Sequence, residues 1–154
     1  MDKDRPSPFL IVIIFLALIS FLLLRDGTYQ KIKLNNIQYV ELSGIKLKVE
    51  LALTEAERGQ GLSGRSGLNE NEGMLFIFDK PGRYSFWMKN MNFAIDMIWI
   101  GEDSKIIYIK KDAKPENYLE TYGPDQDAKY VLEVVSGFSE KNNLREGDKV
   151  LFTY

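Results

Sequence analysis

Two carboxylates stand inside apolar stretches of this chain, and their positions make them the first candidates for chemistry. Asp96 lies between Ile95 and Met97 in the run Ile95–Ile100, and Glu133 interrupts Val131-Leu132-Glu133-Val134-Val135. A buried carboxylate without a partner costs several kcal/mol, so each must be paired, neutral or turned toward water. For Asp96 the functional reading is a group with a tuned acidity, poised as acid, base or ligand. The structural reading, which is preferred, has it accepting amide hydrogen bonds from the Asn90–Ala94 turn or pairing with Lys89 or Arg58. Strand alternation puts Glu133 on one face with Val131 and Val135, and a lone Glu in a one-sided strand is expected to face water. Were the two carboxylates to converge, they would form an acid–base pair or a cation cage.

Other side chains add a binding rather than a reacting chemistry. Arg58 and Arg65 flank a segment with glycines at 59, 61, 64 and 67, while Trp87, Tyr118 and Tyr122 are candidates for exposed aromatic stacking. Aromatics beside Arg and Asn suit a small polar ligand that stacks and hydrogen-bonds. Tyr84, Phe86 and Met88 read as core. The glycine-rich segment lacks the spacing of a phosphate loop. The chain has no His and no Cys, which excludes imidazole- and thiol-based nucleophilic catalysis and thiolate zinc sites. No cofactor motif appears and no metal site is expected.

These side chains must be held by a domain of modest size. Of the 154 residues, those from Gly27 onward carry 17 Lys+Arg against 19 Asp+Glu. A near-neutral domain offers no broad basic footprint for nucleic acid. Lys105, Lys110, Lys111 and Lys114 surround Ile106–Ile109, as expected of an edge strand guarded by lysine. Ahead of the domain, Phe9–Leu24 is a hydrophobic run of 16 residues broken only by Ser20. As a helix it spans about 24 Å, short of the roughly 30 Å hydrocarbon core, with Ser7, Pro8 and a snorkelling Arg25 available to extend it. Small residues suited to signal cleavage are missing. The expectation is an N-terminal tail (1–8), an uncleaved transmembrane anchor in the lipid bilayer (9–24), a polar spacer (25–36) and a folded domain (37–154). The flanking charges leave membrane orientation open.

Within the domain, Ile45, Leu47, Val49, Leu51 and Leu53 alternate with Lys46, Lys48, Glu50 and Ala52, a strand with one polar face. Ile37–Leu42 pairs with it through Ser43-Gly44. Thr54-Glu55-Ala56-Glu57 is a capping box that opens a short helix. Met74–Phe78, Tyr84–Met88 and Ile95–Ile100 read as strands, the first pair joined by a tight turn at Asp79-Lys80-Pro81-Gly82. Lys105–Ile109, Tyr130–Val135 and Lys149–Phe152 complete about eight strands. Ala113–Lys129 is a polar loop, and residues 136–143 hold one helical turn. The fold class expected is mainly β: an antiparallel jelly-roll-like sandwich or partly closed barrel with one or two short helices, preceded by the N-terminal transmembrane helix.

The ordered blocks Val49–Thr54, Glu57–Arg65, Gly73–Phe78 and Phe86–Asn90, followed by Asp96, Tyr130–Glu133 and Gly147-Asp148, resemble the domain-of-unknown-function 192 family over residues 37 to 154. The resemblance implies a single compact, mainly β domain, commonly exported or membrane-anchored, with no agreed activity. Ser63 stands where that family usually has Met, and Ala94 where it has Pro. By position, the resemblance carries Arg58, Lys89, Asn90, Asp96 and Glu133 over as a polar site. The expected function is a single-pass, membrane-anchored extracytoplasmic domain that binds a small polar ligand or an envelope protein. The alternative is a hydrolase of envelope glycans using Asp96 and Glu133.

Overall fold

A computed structural model describes residues 8–154; most of the tail assigned to residues 1–8, with Lys3 and Arg5, lies outside the described residues. The chain divides into two compact units, one ending at Asn36 and the other comprising Ile37–Tyr154. The first contains helix α1, Pro8–Leu34, whose apolar side chains from Phe9 to Leu24 include many that are exposed. Among the described residues, no helix is long and apolar enough to cross a membrane. The helix does not stop where the polar spacer was expected to begin. Lys, Gln and Leu are good helix formers, and the single Gly27 costs only about 1 kcal/mol, too little to end it.

The second unit is built on one seven-stranded sheet: β1 (Tyr39–Leu42), β2 (Ile45–Ala52), β3 (Glu72–Gly82), β4 (Ile95–Ile100), β5 (Ile106–Ala113), β6 (Ala128–Val135) and β7 (Val150–Thr153), in the order β5-β4-β6-β3-β2-β1-β7. All neighbours are antiparallel except β2 and β3. The sheet curls until its two ends meet at one corner. There the amides of Ile106, Gly147 and Val150 donate to the carbonyls of Asp148, Ile106 and Ser104 respectively, and Lys105 bridges Lys149. The result is a half-barrel. Of the two architectures expected, the partly closed barrel is the one formed, and the jelly-roll sandwich is corrected to a single curled sheet.

Two strand assignments are also corrected. Residues 79–82 do not turn; β3 runs on to Gly82, which pairs with Ala128 after a register shift. Tyr84–Met88 is not a strand but a strap across one face of the sheet, paired by one bridge between Phe86 and Tyr122 and held by Trp99 Nε1, which donates to the Tyr84 carbonyl (2.8 Å). The aromatic content that suggested a strand serves packing instead. Tyr84 stacks on Phe78 at 3.4 Å between centroids, and Phe86 meets Phe76, Phe78 and Trp99 edge-on. Gly123 lies so close to the strap that a Cβ there would sit 3.0 Å from the Tyr84 carbonyl oxygen. The loop carrying it holds a short 3-10 turn at Pro115–Asn117.

Both faces of the sheet are therefore covered. One face carries Leu47, Leu75, Ile98, Leu132 and Val134, all fully buried. The other carries Met74, Phe76, Met97, Trp99 and Val131, roofed by Leu62, Met88 and the strap. Strands buried on both sides read as continuous apolar runs, as β4 does.

Candidate functional site

The register decides where the two carboxylates go. Across β4 and β6, Met97 pairs with Glu133 and Asp96 with Val134. Cross-strand partners share a face and successive residues alternate, so Asp96 and Glu133 point to opposite sides of the sheet. They cannot act on one bond as acid and base, which removes the geometry a glycan hydrolase built on this pair requires.

Asp96 is fully buried and fully employed. Its Oδ1 accepts from the amides of Asp112 (2.9 Å) and Gly137 (3.2 Å), and its Oδ2 from the amide of Ser139 (2.8 Å). Gly137 and Ser139 open the one-turn helix α3, Phe138–Lys141, whose first amides have no partner within the helix. The carboxylate supplies one. The structural reading of Asp96 holds in kind, but its donors come from the β5 end and α3. Neither the Asn90–Ala94 turn nor Lys89 or Arg58 is its partner.

Glu133 reverses its expectation. It lies on a central strand between β3 and β4 and is only 4 % exposed. Met74 and Met97 flank it across the strands. Its Oε2 is buried with no hydrogen-bond partner. Burial pushes its carboxyl up to about 8, against a smaller downward pull from the Arg65 guanidinium. Near neutral pH the group is therefore mostly a neutral acid.

That acid lines a cavity of about 260 Å³ walled by Leu62, Phe76, Phe78, Tyr84, Phe86, Trp87 and Met91, with Arg58 and the 59–63 segment at one side. Two local devices shape the cavity. The capping box forms as expected: Thr54 Oγ1 accepts from the Glu57 amide (3.2 Å), and Glu57 Oε2 from the amides of Leu53 and Thr54 (both 2.8 Å). It starts helix α2, Glu55–Gln60, which ends at Gly61 with φ +50°. A Cβ at Gly61 would press on the Phe76 ring at 3.2 Å, so glycine there lets the loop settle onto the aromatic wall.

The glycine-rich segment and the strap are then stitched together. The Gly64 amide donates to the Asn90 carbonyl (2.9 Å), Ser63 Oγ to the Lys89 carbonyl (3.0 Å) and Asn92 Nδ2 to the Arg65 carbonyl (2.9 Å). Asn90 adopts φ +58°, which Asn tolerates better than most residues. Ser63 thus closes one side of the cavity with a hydrogen bond that a Met side chain does not make.

The cations near the cavity are occupied. Arg58 Nη1 donates to the carbonyls of Leu53 and Ile77, and the guanidinium lies 5.0 Å from the centre of the Phe78 ring. Arg65 grips Glu50 with two nitrogens, at 2.7 and 2.8 Å. Sequence reasoning did not foresee this pair. Lys89 and Asn90 line an adjoining groove with Gly59, Gln60, Ser63 and Gly64, and Lys89 Nζ sits 5.4 Å over the Trp87 ring. Trp87 borders both spaces and is 55 % exposed. Tyr118 is exposed on a further groove beside Trp87. Tyr122, expected to stack on ligands, is buried instead, its hydroxyl on Glu120 and its backbone paired with Phe86.

Of the five polar residues carried over by position, Arg58 and Glu133 line one cavity, Lys89 and Asn90 the groove next to it, and Asp96 the opposite face. The cavity walls Leu62, Phe76, Phe78 and Met91 were not singled out from the sequence. Tyr84 and Phe86, read as core, are half-buried and face it.

No curated protein matches the chain. Among solved structures, a protein of unknown function from Novosphingobium aromaticivorans is 32 % identical with a TM-score of 0.71, over 75 % of this chain and 84 % of its own. A putative transcription regulator from Sinorhizobium meliloti is 32 % identical with a TM-score of 0.70, over 74 % of this chain and 92 % of its own. Residues 38–152 match the family model DUF192, described as uncharacterized ACR, and the chain belongs to that domain-of-unknown-function 192 family.

Proposed function

We propose that this protein is a non-catalytic binding module, tethered to the membrane by residues 9–24 with its β domain outside the cytoplasm, and that its ligand enters the Glu133 cavity. The observation that carries the binding part is the Glu133 carboxyl, 4 % exposed, with an oxygen that no group among the described residues satisfies. Buried polar atoms are almost always hydrogen-bonded, and an orphan calls for a role. An apolar pocket with few polar groups is the usual form of a small-molecule site. The separation of Asp96 from Glu133 favours binding over hydrolysis. The tether is supported by the apolar run Phe9–Leu24, with Ser20 its one polar member, and by the exposure of Phe9, Phe15, Phe21 and Leu24 along α1.

A thermal-shift screen of the full-length chain in detergent, spanning sugars, amines, carboxylates and neutral amphiphiles, tests the binding part. At least one compound is expected to raise the melting temperature of the wild type and not of Glu133→Gln. If every stabilising compound acts equally on both, the cavity is not the site, and an envelope protein becomes the better occupant. Recovery of the chain in the soluble fraction after alkaline membrane extraction would end the tether.

A further inference from the structure

We infer that the ligand of this cavity is an organic ammonium with a small aromatic or aliphatic body, its cationic head on the Glu133 carboxyl between Met74 and Met97 and its body against Phe78, Tyr84, Phe86 and Trp87. The inference rests on the binding function proposed above and specifies what binds.

Among the described residues Glu133 Oε2 lacks a hydrogen-bond partner, and a cation beside it would favour the ionised carboxylate over the neutral acid. The two nearby guanidiniums have other partners. Arg65 holds Glu50 through two nitrogens, and Arg58 holds the Leu53 and Ile77 carbonyls. An anionic ligand would have to sit beside the Glu133 carboxyl, which repels it once ionised. A hydroxyl could donate one hydrogen bond, but it brings no charge. An ammonium brings up to three donors and a charge that draws the carboxyl beside it into its ionised form, and charge-assisted bonds are roughly twice as strong as neutral ones.

The walls favour the same head group. Five aromatic side chains line the space, and aromatic faces attract cations within about 6 Å. The protein already uses this contact nearby, with Arg58 over Phe78 and Lys89 over Trp87. Size limits the body of the ligand. The cavity holds about 260 Å³, whereas an apolar cavity of roughly 150 Å³ admits benzene. One ring with a two-carbon chain fits.

Three probes of one shape test the inference on the full-length protein: phenethylamine, 2-phenylethanol and phenylacetate. Isothermal titration is expected to give phenethylamine at least tenfold tighter binding than either of the others. In Glu133→Gln that advantage should shrink to about twofold, while Glu102→Gln, on an exposed turn, should keep it. The wild-type ranking needs no variant, so the test survives a Glu133→Gln protein that folds poorly. Equal or tighter binding of 2-phenylethanol or phenylacetate overturns the ammonium and leaves the cavity reading standing. Failure of all three to bind also overturns it, and the broader screen then decides separately whether the cavity binds anything. An amine advantage that persists in Glu133→Gln places the cation elsewhere and overturns it too.

Discussion

Asp96 and Glu133 occupy adjacent strands one register position apart, both almost wholly out of water, and the protein treats them in opposite ways. Asp96 receives three backbone amides from the β5 end and the start of α3. Glu133 receives no partner at Oε2 and is wedged between two methionines at the floor of a cavity. A carboxylate with three donors fixes structure, because its hydrogen bonds hold two loops in place. A carboxyl without donors stores a cost that folding alone does not justify. The contrast teaches that burial does not distinguish a structural acid from a functional one; the count of donors does.

The largest effect should come from breaking Asp96. Removing one partner of a buried charged arrangement costs about 3–5 kcal/mol, against about 0.5 kcal/mol or less at an exposed site. Asp96→Asn loses the charge and presents an amide NH2 to backbone donors. Its loss of stability in urea unfolding should far exceed that of Glu102→Gln. Equal midpoints for the two variants would put Asp96 and Glu133 in the same class and dissolve the contrast.

Glu133 sharpens the contrast through pH. Burial pushes its carboxyl from an ordinary 4.5 up to about 8 in the folded protein, so between those values the native state binds the proton more tightly than the unfolded one. Its contribution to stability is therefore fully present below about pH 4.5 and is lost as pH rises through about 8. Glu133→Gln keeps the shape and cannot ionise. At pH 5 the variant should melt close to the wild type; at pH 9 it should be more stable, by an amount on the order of a few kcal/mol. A wild type no less stable than the variant at pH 9 would mean that Glu133 ionises freely in the native state.

Much of this frame is legible in the sequence. The period-two stretch before Thr54, the capping box and the anomaly of two acids in apolar runs all rest on local rules. The fate of each acid does not. Whether Glu133 faces water depends on its strand being central, with β3 on one side and β4 on the other, and nothing local to Tyr130–Val135 states that. The strap misled for a related reason. Tyr84–Met88 has the composition of a strand, yet its aromatics pack against Phe76, Phe78 and Trp99 rather than pairing edge to edge. Tyr122 looked exposed within a polar loop because its partner, Phe86, lies 36 positions earlier in the chain.

The smallest effect tests whether the two charged neighbours of the cavity touch Glu133 electrostatically. Arg65 is bound to Glu50, with both side chains substantially exposed, and such surface pairs contribute about 0–1 kcal/mol. Arg65→Gln should therefore leave stability at pH 5 nearly unchanged. The same guanidinium pulls the Glu133 titration downward against the larger effect of burial. Without it, the Glu133 midpoint should move further up, and the loss of stability, which still begins near pH 4.5, should continue to a higher pH. Glu50→Gln should act in the other direction, since it removes the anion that offsets Arg65. Parallel stability–pH curves for wild type and Arg65→Gln would show that the cavity floor is insulated from its rim, leaving burial alone to hold Glu133 protonated. Opposed shifts for the two variants would show that the Glu50–Arg65 pair tunes the acid from outside the cavity, a coupling with no counterpart at Asp96, whose recorded partners are all backbone amides.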